Sequence, residues 1–194
     1  MNSKFMKMIY PFIVLLFVCC NEDKSENNLE SIYDFNNNQI TGKDNSVNIS
    51  ISDKNKIIYN IKCDSLVNTK EKIYLYDNVD IEIFNNNIKS TQLSSNNAII
   101  KGQIEKNGRN TNYNFSKADM VAEGNVVIKS IERNDQLFTN KIMLFNNNRC
   151  NILIDTSQIV TYINYNDTMR GYGFESDCEM NNWKILKPMG TIYN

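Results

Sequence analysis

From about residue 41 onward, apolar and polar side chains alternate along the chain in a series of short runs. Val47-Asn48-Ile49-Ser50-Ile51-Ser52 alternates without a break, and Val79-Asp80-Ile81-Glu82-Ile83 does so again. This pattern is typical of half-buried β-strands, because successive side chains of a strand point to opposite faces of the sheet. The other runs that we predict as strands are 57–63, 98–105, 126–131, 142–145, 150–154, 159–165 and 183–187.

Asparagine-rich segments separate many of these runs. The chain has 34 asparagines but only 7 glycines and 2 prolines. Asn85-Asn86-Asn87 and Asn146-Asn147-Asn148 each lie between two apolar runs, and asparagine tolerates the positive φ that tight turns need. The segment 117–123 could suggest a helix, but it is too short to form one alone. Short strands between turn signals indicate an all-β fold, an antiparallel sandwich, jelly roll or barrel.

The first twenty residues have the pattern of an export signal. Lys4 and Lys7 precede an apolar run from Met8 to Cys20, which is short for a membrane-spanning helix of about 20 apolar residues. A cysteine that closes such a run resembles the lipobox of bacterial lipoproteins, so we predict a lipid anchor on Cys20 or, alternatively, on Cys19. An ordinary secretory signal and an uncleaved, tilted helix are the other interpretations.

The chain therefore divides into three predicted segments. Residues 1–20 form the signal and lipobox-like membrane anchor, and residues 21–40, which are polar and rich in asparagine, form a flexible tether. Residues 41–194 carry the strand pattern and form the β domain.

Composition narrows the functional classes. With 22 acidic and 21 basic side chains, the net charge of −1 argues against a nucleic-acid partner. The absence of histidine removes the usual near-neutral acid or base and the commonest metal ligand. Asp80 and Glu82 share one strand face, where a solvated face is commoner than a catalytic pair. We therefore predict a protein that is not an enzyme and has no cofactor, no metal site and no catalytic residue.

Three cysteines lie in the predicted β domain: Cys63, Cys150 and Cys178. In an exported protein, an odd number allows one disulfide and one free thiol. Each cysteine also lies in or beside a strand-like run, where a free cysteine behaves as a small hydrophobic residue. The sequence leaves both interpretations open.

Strand pairs of similar type recur along the chain. Residues 78–83 are followed by 91–95, 123–128 by 135–140, and 158–162 by 167–174. Each unit has an apolar strand, a turn and a second strand in which a large apolar residue lies beside small polar ones. Stacked units of this kind bury one continuous face.

Four segments stand out: the Gly-Asn-Val strand at 124–126, the Leu-x-Thr strand at 137–139, the Gly-x-Gly-Phe-Glu segment at 171–175, and the C-terminal segment 183–193. In these segments the chain resembles the LptC family, the periplasmic, inner-membrane-attached component of lipopolysaccharide export. The resemblance extends from about residue 42 to the C-terminus. It is weaker in the first unit, where Asp77 stands in place of the glycine. The lipobox-like start also differs from members that are held by a membrane helix.

The resemblance implies an open, V-shaped antiparallel β-jelly roll of the OstA-like type, with an apolar slot for lipid acyl chains between its sheets. The residues expected to line the slot are Ile81, Ile83, Val126, Ile128, Ile142, Leu144, Ile152, Ile154, Ile159, Thr161 and Phe174. The alternative is that these residues form an ordinary closed core, because alternation identifies a face but not what covers it.

The resemblance also implies the partners. The protein would receive lipopolysaccharide from the permease subunits of an inner-membrane ABC transporter and pass it to a bridging periplasmic protein, while anchored to the inner membrane and facing the periplasm. The expected contacts are sheet edges, which can add strands from neighbours. These edges comprise Val47, Ile49 and Ile51 at the N-terminal end, and Trp183, Ile185, Ile192 and Tyr193 at the C-terminal end. The alternative function is a structural or adhesive surface lipoprotein with a filled β-sandwich and no lipid ligand.

Overall fold

The computed structural model describes residues 39–43, 46–107, 110–147, 149–165 and 167–190, and every regular element in these ranges is a β-strand. The strands are β1 (Gln39–Lys43), β2 (Ser46–Asp53), β3 (Lys56–Cys63), β4 (Ser65–Asn68), β5 (Lys72–Asn85), β6 (Ile88–Asn107), β7 (Asn110–Ser130), β8 (Gln136–Asn147), β9 (Arg149–Asn164), β10 (Asp167–Asp177) and β11 (Trp183–Met189).

Ten of these strands form a single ladder in the order β1-β2-β3-β5-β6-β7-β8-β9-β10-β11, and β4 pairs with β5 beside it. The pairings are antiparallel throughout. Within the described chain, β1 and β11 do not pair with each other, so the sheet is open at both ends. The prediction of an all-β, antiparallel, open fold is confirmed at this level.

A line of register shifts crosses the middle of the sheet. The shifts lie between Tyr76 and Val79 in β5, between Ser94 and Asn97 in β6, and between Glu123 and Val126 in β7. The line continues through 138–143 of β8 and 172–174 of β10. Bulges bend a strand and increase its twist without ending it. Each central strand therefore continues through a bend, and this explains why the observed strands are longer than the predicted ones.

Positive backbone φ angles occur on this line. Asp77 and Asn78 have φ of 58° and 48°, while Gly124 and Asn125 have 82° and 49°. The two pairs occupy equivalent places in β5 and β7. Asp77 of β5 therefore adopts the left-handed conformation that Gly124 adopts in β7. Gly173 in β10 has φ of 71°. The repeated Asn-Val motif thus marks the bends of the strands.

The bends fold the sheet onto itself. Trp183 of β11 pairs with Ser176 of β10, which in turn pairs with Ile152 of β9. Ile152 and Tyr162 are ten positions apart in β9, a distance of about 33 Å along a straight strand. The ring centroids of Tyr162 and Trp183 nevertheless lie 4.2 Å apart. Two layers result. Layer A comprises 46–63, 79–95, 126–139, 159–165 and 167–172; layer B comprises 65–76, 97–107, 110–123, 141–147, 149–154 and 174–186.

The fold corrects two sequence predictions. β1 begins at Gln39, so the last residues assigned to the tether belong to the sheet. The predicted partner edge at Val47, Ile49 and Ile51 is wrong, because their strand, β2, pairs with β1 on one side and β3 on the other. Ile49 and Ile51 are buried in the core instead. Of the other predicted edge, Trp183 and Ile185 lie on the outermost strand β11, while Ile192 and Tyr193 lie outside the described residues.

Gly124→Ala should lower the free energy of unfolding by about 2 kcal/mol, because a side chain at this positive φ is strained. A Cβ atom would also lie 2.9 Å from Cβ of Asn96. Chemical denaturation measures the loss. Gly190→Ala is the matched control, since a Cβ there meets no atom within 4 Å. Equal stability of both variants would contradict the role given to the bend.

Candidate functional site

The faces of the two layers that point toward each other carry one continuous apolar cluster. Nine of the eleven predicted slot residues belong to it, and each is at most 4% exposed. These nine are Ile81, Ile83, Val126, Ile128, Ile142, Leu144, Ile152, Ile154 and Phe174. The structure thus brings them together on one face, and their role as a lipid-binding surface stays a prediction.

Ile159 and Thr161 do not belong to this cluster, and their prediction as slot residues is wrong. Ile159 is 49% exposed, whereas its neighbour Val160 is fully buried. In β9 the inward positions keep even numbers on both sides of the bend, from Ile152 to Tyr162. Ile159 and Thr161 therefore lie on the outer face of layer A.

Side chains of the protein itself cover the interior. Ile81, Leu93 and Ile154 have no exposed surface, because the side chains of the facing layer pack over them. One cleft of about 740 Å³ lies beside β8–β11 and is lined by Phe145, Leu153, Glu175, Asp177, Trp183 and Lys184, among others. Space for a ligand between the layers would therefore require them to separate.

The two layers meet again opposite the bends, along a line that we call the mouth, where the turns of layer A face the turns of layer B. Tyr59 of layer A is buried beside the Asn146 side chain of layer B. Asn146 Nδ2 in turn donates to the carbonyl oxygen of Ser116 at 2.8 Å. Burial, with the negative charge of Asp119, raises the pKa of Tyr59 to about 12. Tyr59 and Asn146 thus bring the two layers together at the mouth.

Residues 178–182, between β10 and β11, close another part of the mouth; we call them the latch loop. Thr91 Oγ1 donates a hydrogen bond to the carbonyl oxygen of Cys178, and Ser130 Oγ donates to that of Glu179 at 3.2 Å. Asn85 Nδ2 donates to the Glu179 carboxylate. The three donors belong to layer A or to its turns. The latch loop therefore crosses from layer B to layer A.

A disulfide fixes the latch loop to layer B. Cys150, at the start of β9, is bonded to Cys178, and the two Cα atoms are 5.3 Å apart. The backbone N–H of Cys178 also donates to the carbonyl oxygen of Cys150 at 3.2 Å. Cys63 is a free, buried thiol, and burial raises its pKa to about 11. Of the two interpretations of the cysteines, one disulfide with one free thiol is the observed one.

Next to the latch loop, a polar group meets an aromatic cluster. Asp135, 1% exposed, accepts hydrogen bonds from Arg133 Nε at 2.7 Å and from the Tyr162 hydroxyl at 2.6 Å. The hydrogen bond to Asp135 raises the pKa of Arg133. The Tyr162 ring packs on Trp183 and, at 6.1 Å between centroids, on Phe174. Burial, together with Asp135, raises the pKa of Tyr162 to about 12.

Asp135→Asn should lower the free energy of unfolding by about 2 kcal/mol. The hydrogen bonds from Arg133 and Tyr162 end on a charged acceptor, and a bond of that kind is worth about 1.5–3 kcal/mol. Because the Arg133 side chain is 30% exposed, hydrogen bonds to water replace part of the free energy that Arg133 loses in the variant. Urea denaturation is the measurement, with Asp167→Asn on an exposed residue as control. A loss no greater than that of the control would contradict the importance of Asp135.

Alkaline pH should destabilise the protein through Tyr59 and Tyr162. The folded pKa of each is about 12 against an ordinary 10.0, so the folded protein holds both protons after the unfolded chain has lost them. Their contribution to stability is complete below pH 10 and is lost as pH rises toward 12. Denaturation curves across this range test the expectation. In the Tyr162→Phe variant, the free energy of unfolding should fall less steeply with pH. An unchanged slope would mean that Tyr162 does not contribute to the pH dependence.

Asp80 and Glu82 lie on the outer face of layer A, where neighbouring side chains bind them. Gln92 Nε2 donates to both Asp80 oxygens, at 2.9 and 3.0 Å. Lys89 Nζ lies 2.8 Å from Glu82 Oε1, and this hydrogen bond lowers the pKa of Glu82. Within the described ranges, no group of three potential metal ligands occurs. The two carboxylates thus take part in a cross-strand polar network.

Sequence reasoning missed the latch loop and the Arg133–Asp135–Tyr162 group. Asp135 and Tyr162 are 27 residues apart, and no motif joins them. The one usable signal was Arg133-Asn134-Asp135, a charged turn directly before a strand.

No protein-family model matches the chain, and no curated protein matches it either. Among the described residues there is no helix of the length and hydrophobicity needed to cross a membrane. Cys19 and Cys20, the predicted lipid anchors, lie outside the described residues. The resemblance to the LptC family and the predicted inner-membrane location therefore stay predictions.

Proposed function

We propose that this protein carries lipopolysaccharide across part of the periplasm, as the LptC family that it resembles does. One observation carries the proposal: an open antiparallel sheet folds along a line of bulges and encloses a continuous apolar surface. The OstA-like, V-shaped jelly roll that the resemblance implies would be this arrangement with the two layers further apart. A lipid anchor on Cys20 or Cys19 would keep the domain beside the inner membrane.

On binding, contacts between the two layers would be replaced by contacts of each layer with the acyl chains of the lipid. Each methylene group removed from water is worth about 0.8 kcal/mol, so acyl chains between the layers would offset the packing free energy that the layers give up when they separate. The carrier needs no catalytic group for this step. Release would be driven by the ATP-hydrolysing transporter, which pushes lipid from one apolar surface to the next.

The open edges of the sheet would serve the partners. Among the strands that the structure describes, β11 has an unpaired side at one end of the sheet and β1 has one at the other. The bridging periplasmic protein would add a strand to β11, and the permease subunits of the transporter would meet the β1 edge. A photoreactive residue in place of the exposed Lys187 on β11 should crosslink to the bridging protein. Crosslinks from the outer face of β5, at Glu82, but none from Lys187, would contradict this edge.

Crosslinking from the interior tests the carrier function. A photoreactive residue at Ile128, 1% exposed and inward, should form lipopolysaccharide adducts in cells with active export. The same residue at Ile159 is the matched control, because this isoleucine lies on the outer face. Adducts at 128 without adducts at 159 are expected. If neither position reacts, or if both react equally, the carrier function is wrong.

A structural or adhesive surface lipoprotein is the second candidate. The burial of the interior by the protein's own side chains favours it, since a filled β-sandwich needs no ligand. A protein of this kind would give no lipid adduct at Ile128 and would fractionate with the outer membrane after labelling with palmitate.

A further inference from the structure

The latch loop is attached to the two layers in different ways. On layer B it is held by the Cys150–Cys178 disulfide, a covalent bond that persists in an oxidising compartment. On layer A it is held by side-chain hydrogen bonds, including those from the hydroxyls of Thr91 and Ser130. If the layers parted, the weaker attachment would break first. The loop would then stay with layer B and separate from layer A.

The latch loop also places an apolar side chain in the interior. Met180 is fully buried and belongs to the same cluster as the predicted slot residues. Its backbone φ of 58° is uncommon for a residue with a side chain, so the loop holds Met180 in place against a local preference. An unbranched, flexible methionine fills irregular apolar space much as a short alkyl chain does. Met180 thus occupies space that an acyl chain could take.

We infer that the latch loop controls lateral access of alkyl chains to the interior, opening on the layer A side while the disulfide retains it on layer B. This inference rests on the proposed carrier function and adds the route of entry. Release of the Thr91 and Ser130 hydrogen bonds withdraws Met180, and the vacated apolar surface receives one alkyl chain through the mouth. The disulfide keeps the opened loop close enough to close again.

The test compares two double variants of the full-length protein. Thr91→Val with Ser130→Ala removes both hydroxyl donors but leaves the disulfide and Met180 unchanged. Thr161→Val with Ser94→Ala makes the same substitutions on the outer face of layer A and is the matched control. Circular dichroism verifies that both fold. Hydrogen exchange of the amides of residues 178–182 reports opening, and fluorescence of a labelled stearic acid reports access.

In the Thr91→Val, Ser130→Ala variant, amide exchange in the latch loop should be about tenfold faster than in the control. The labelled fatty acid should also bind to it more tightly or faster than to the control. Unchanged exchange would overturn the inference. Measurable but equal fatty-acid binding by both variants would also overturn it while leaving the carrier function standing. If neither variant binds the fatty acid although exchange is faster in one, the carrier function itself fails, and control of lipid access fails with it.

Discussion

Phe174→Ala should lower the free energy of unfolding by about 4 kcal/mol. Phe174 has no exposed surface, and its ring lies 6.1 Å from the rings of both Tyr162 and Trp183. Truncating a buried phenylalanine removes its transfer free energy and leaves a cavity, which together cost about 3–5 kcal/mol. The loss should be measured by urea denaturation of the purified protein without lipid.

Phe138→Ala is the control, because Phe138 is half-buried on the outer face of layer A and should cost only about 1 kcal/mol. The difference between the two variants bears on function as well as on stability. If the layers are apart in the lipid-free protein, Phe174 lines an open surface, and its truncation should cost little more than that of Phe138. A difference of about 3 kcal/mol would show that the lipid-free interior is closed.

Replacing Cys150 and Cys178 together by serine should lower the free energy of unfolding by about 3.5 kcal/mol. The bond joins residues 28 positions apart, and a loop of this length loses that much unfolded-state entropy on crosslinking. For a domain of this size, the melting temperature should fall by roughly 10 °C. Thermal unfolding followed by circular dichroism measures the change.

A reducing agent separates the disulfide from other effects of the substitution. It should destabilise the wild-type protein by a similar amount and leave the double serine variant unaffected. Cys63 is not in the bond, so a Cys63→Ala variant should keep its sensitivity to reduction. Equal melting temperatures of the oxidised and reduced wild-type protein would mean that the bond contributes nothing to stability.

Alternation of apolar residues predicted the buried face of most strands correctly. Ile81 and Ile83 in β5, and Val126 and Ile128 in β7, point inward as the period of two requires. The turn at Asn86 and Asn87 was also predictable, and both residues have positive φ, at 50° and 65°.

Alternation failed where it had to be carried across a bend. A single strand runs through 155–158, so the inward parity set by Ile152 and Ile154 continues to Val160. The sequence does not mark the continuous strand, and treating 159–165 as a separate strand reversed the faces predicted for Ile159 and Thr161.

The latch loop could not be predicted from the sequence for another reason. Cys150 and Cys178 become neighbours only because β9 and β10 pair along their length.

The line of bulges determines how the molecule can deform. Every central strand belongs to both layers, so the dihedral angle between the layers is one shared variable, coupled from strand to strand by the backbone ladder. The angle between the layers can therefore change only for all central strands together. A strand added at β11 would extend this line of bends, and the angle between the layers of one molecule would then constrain the same angle in its neighbour.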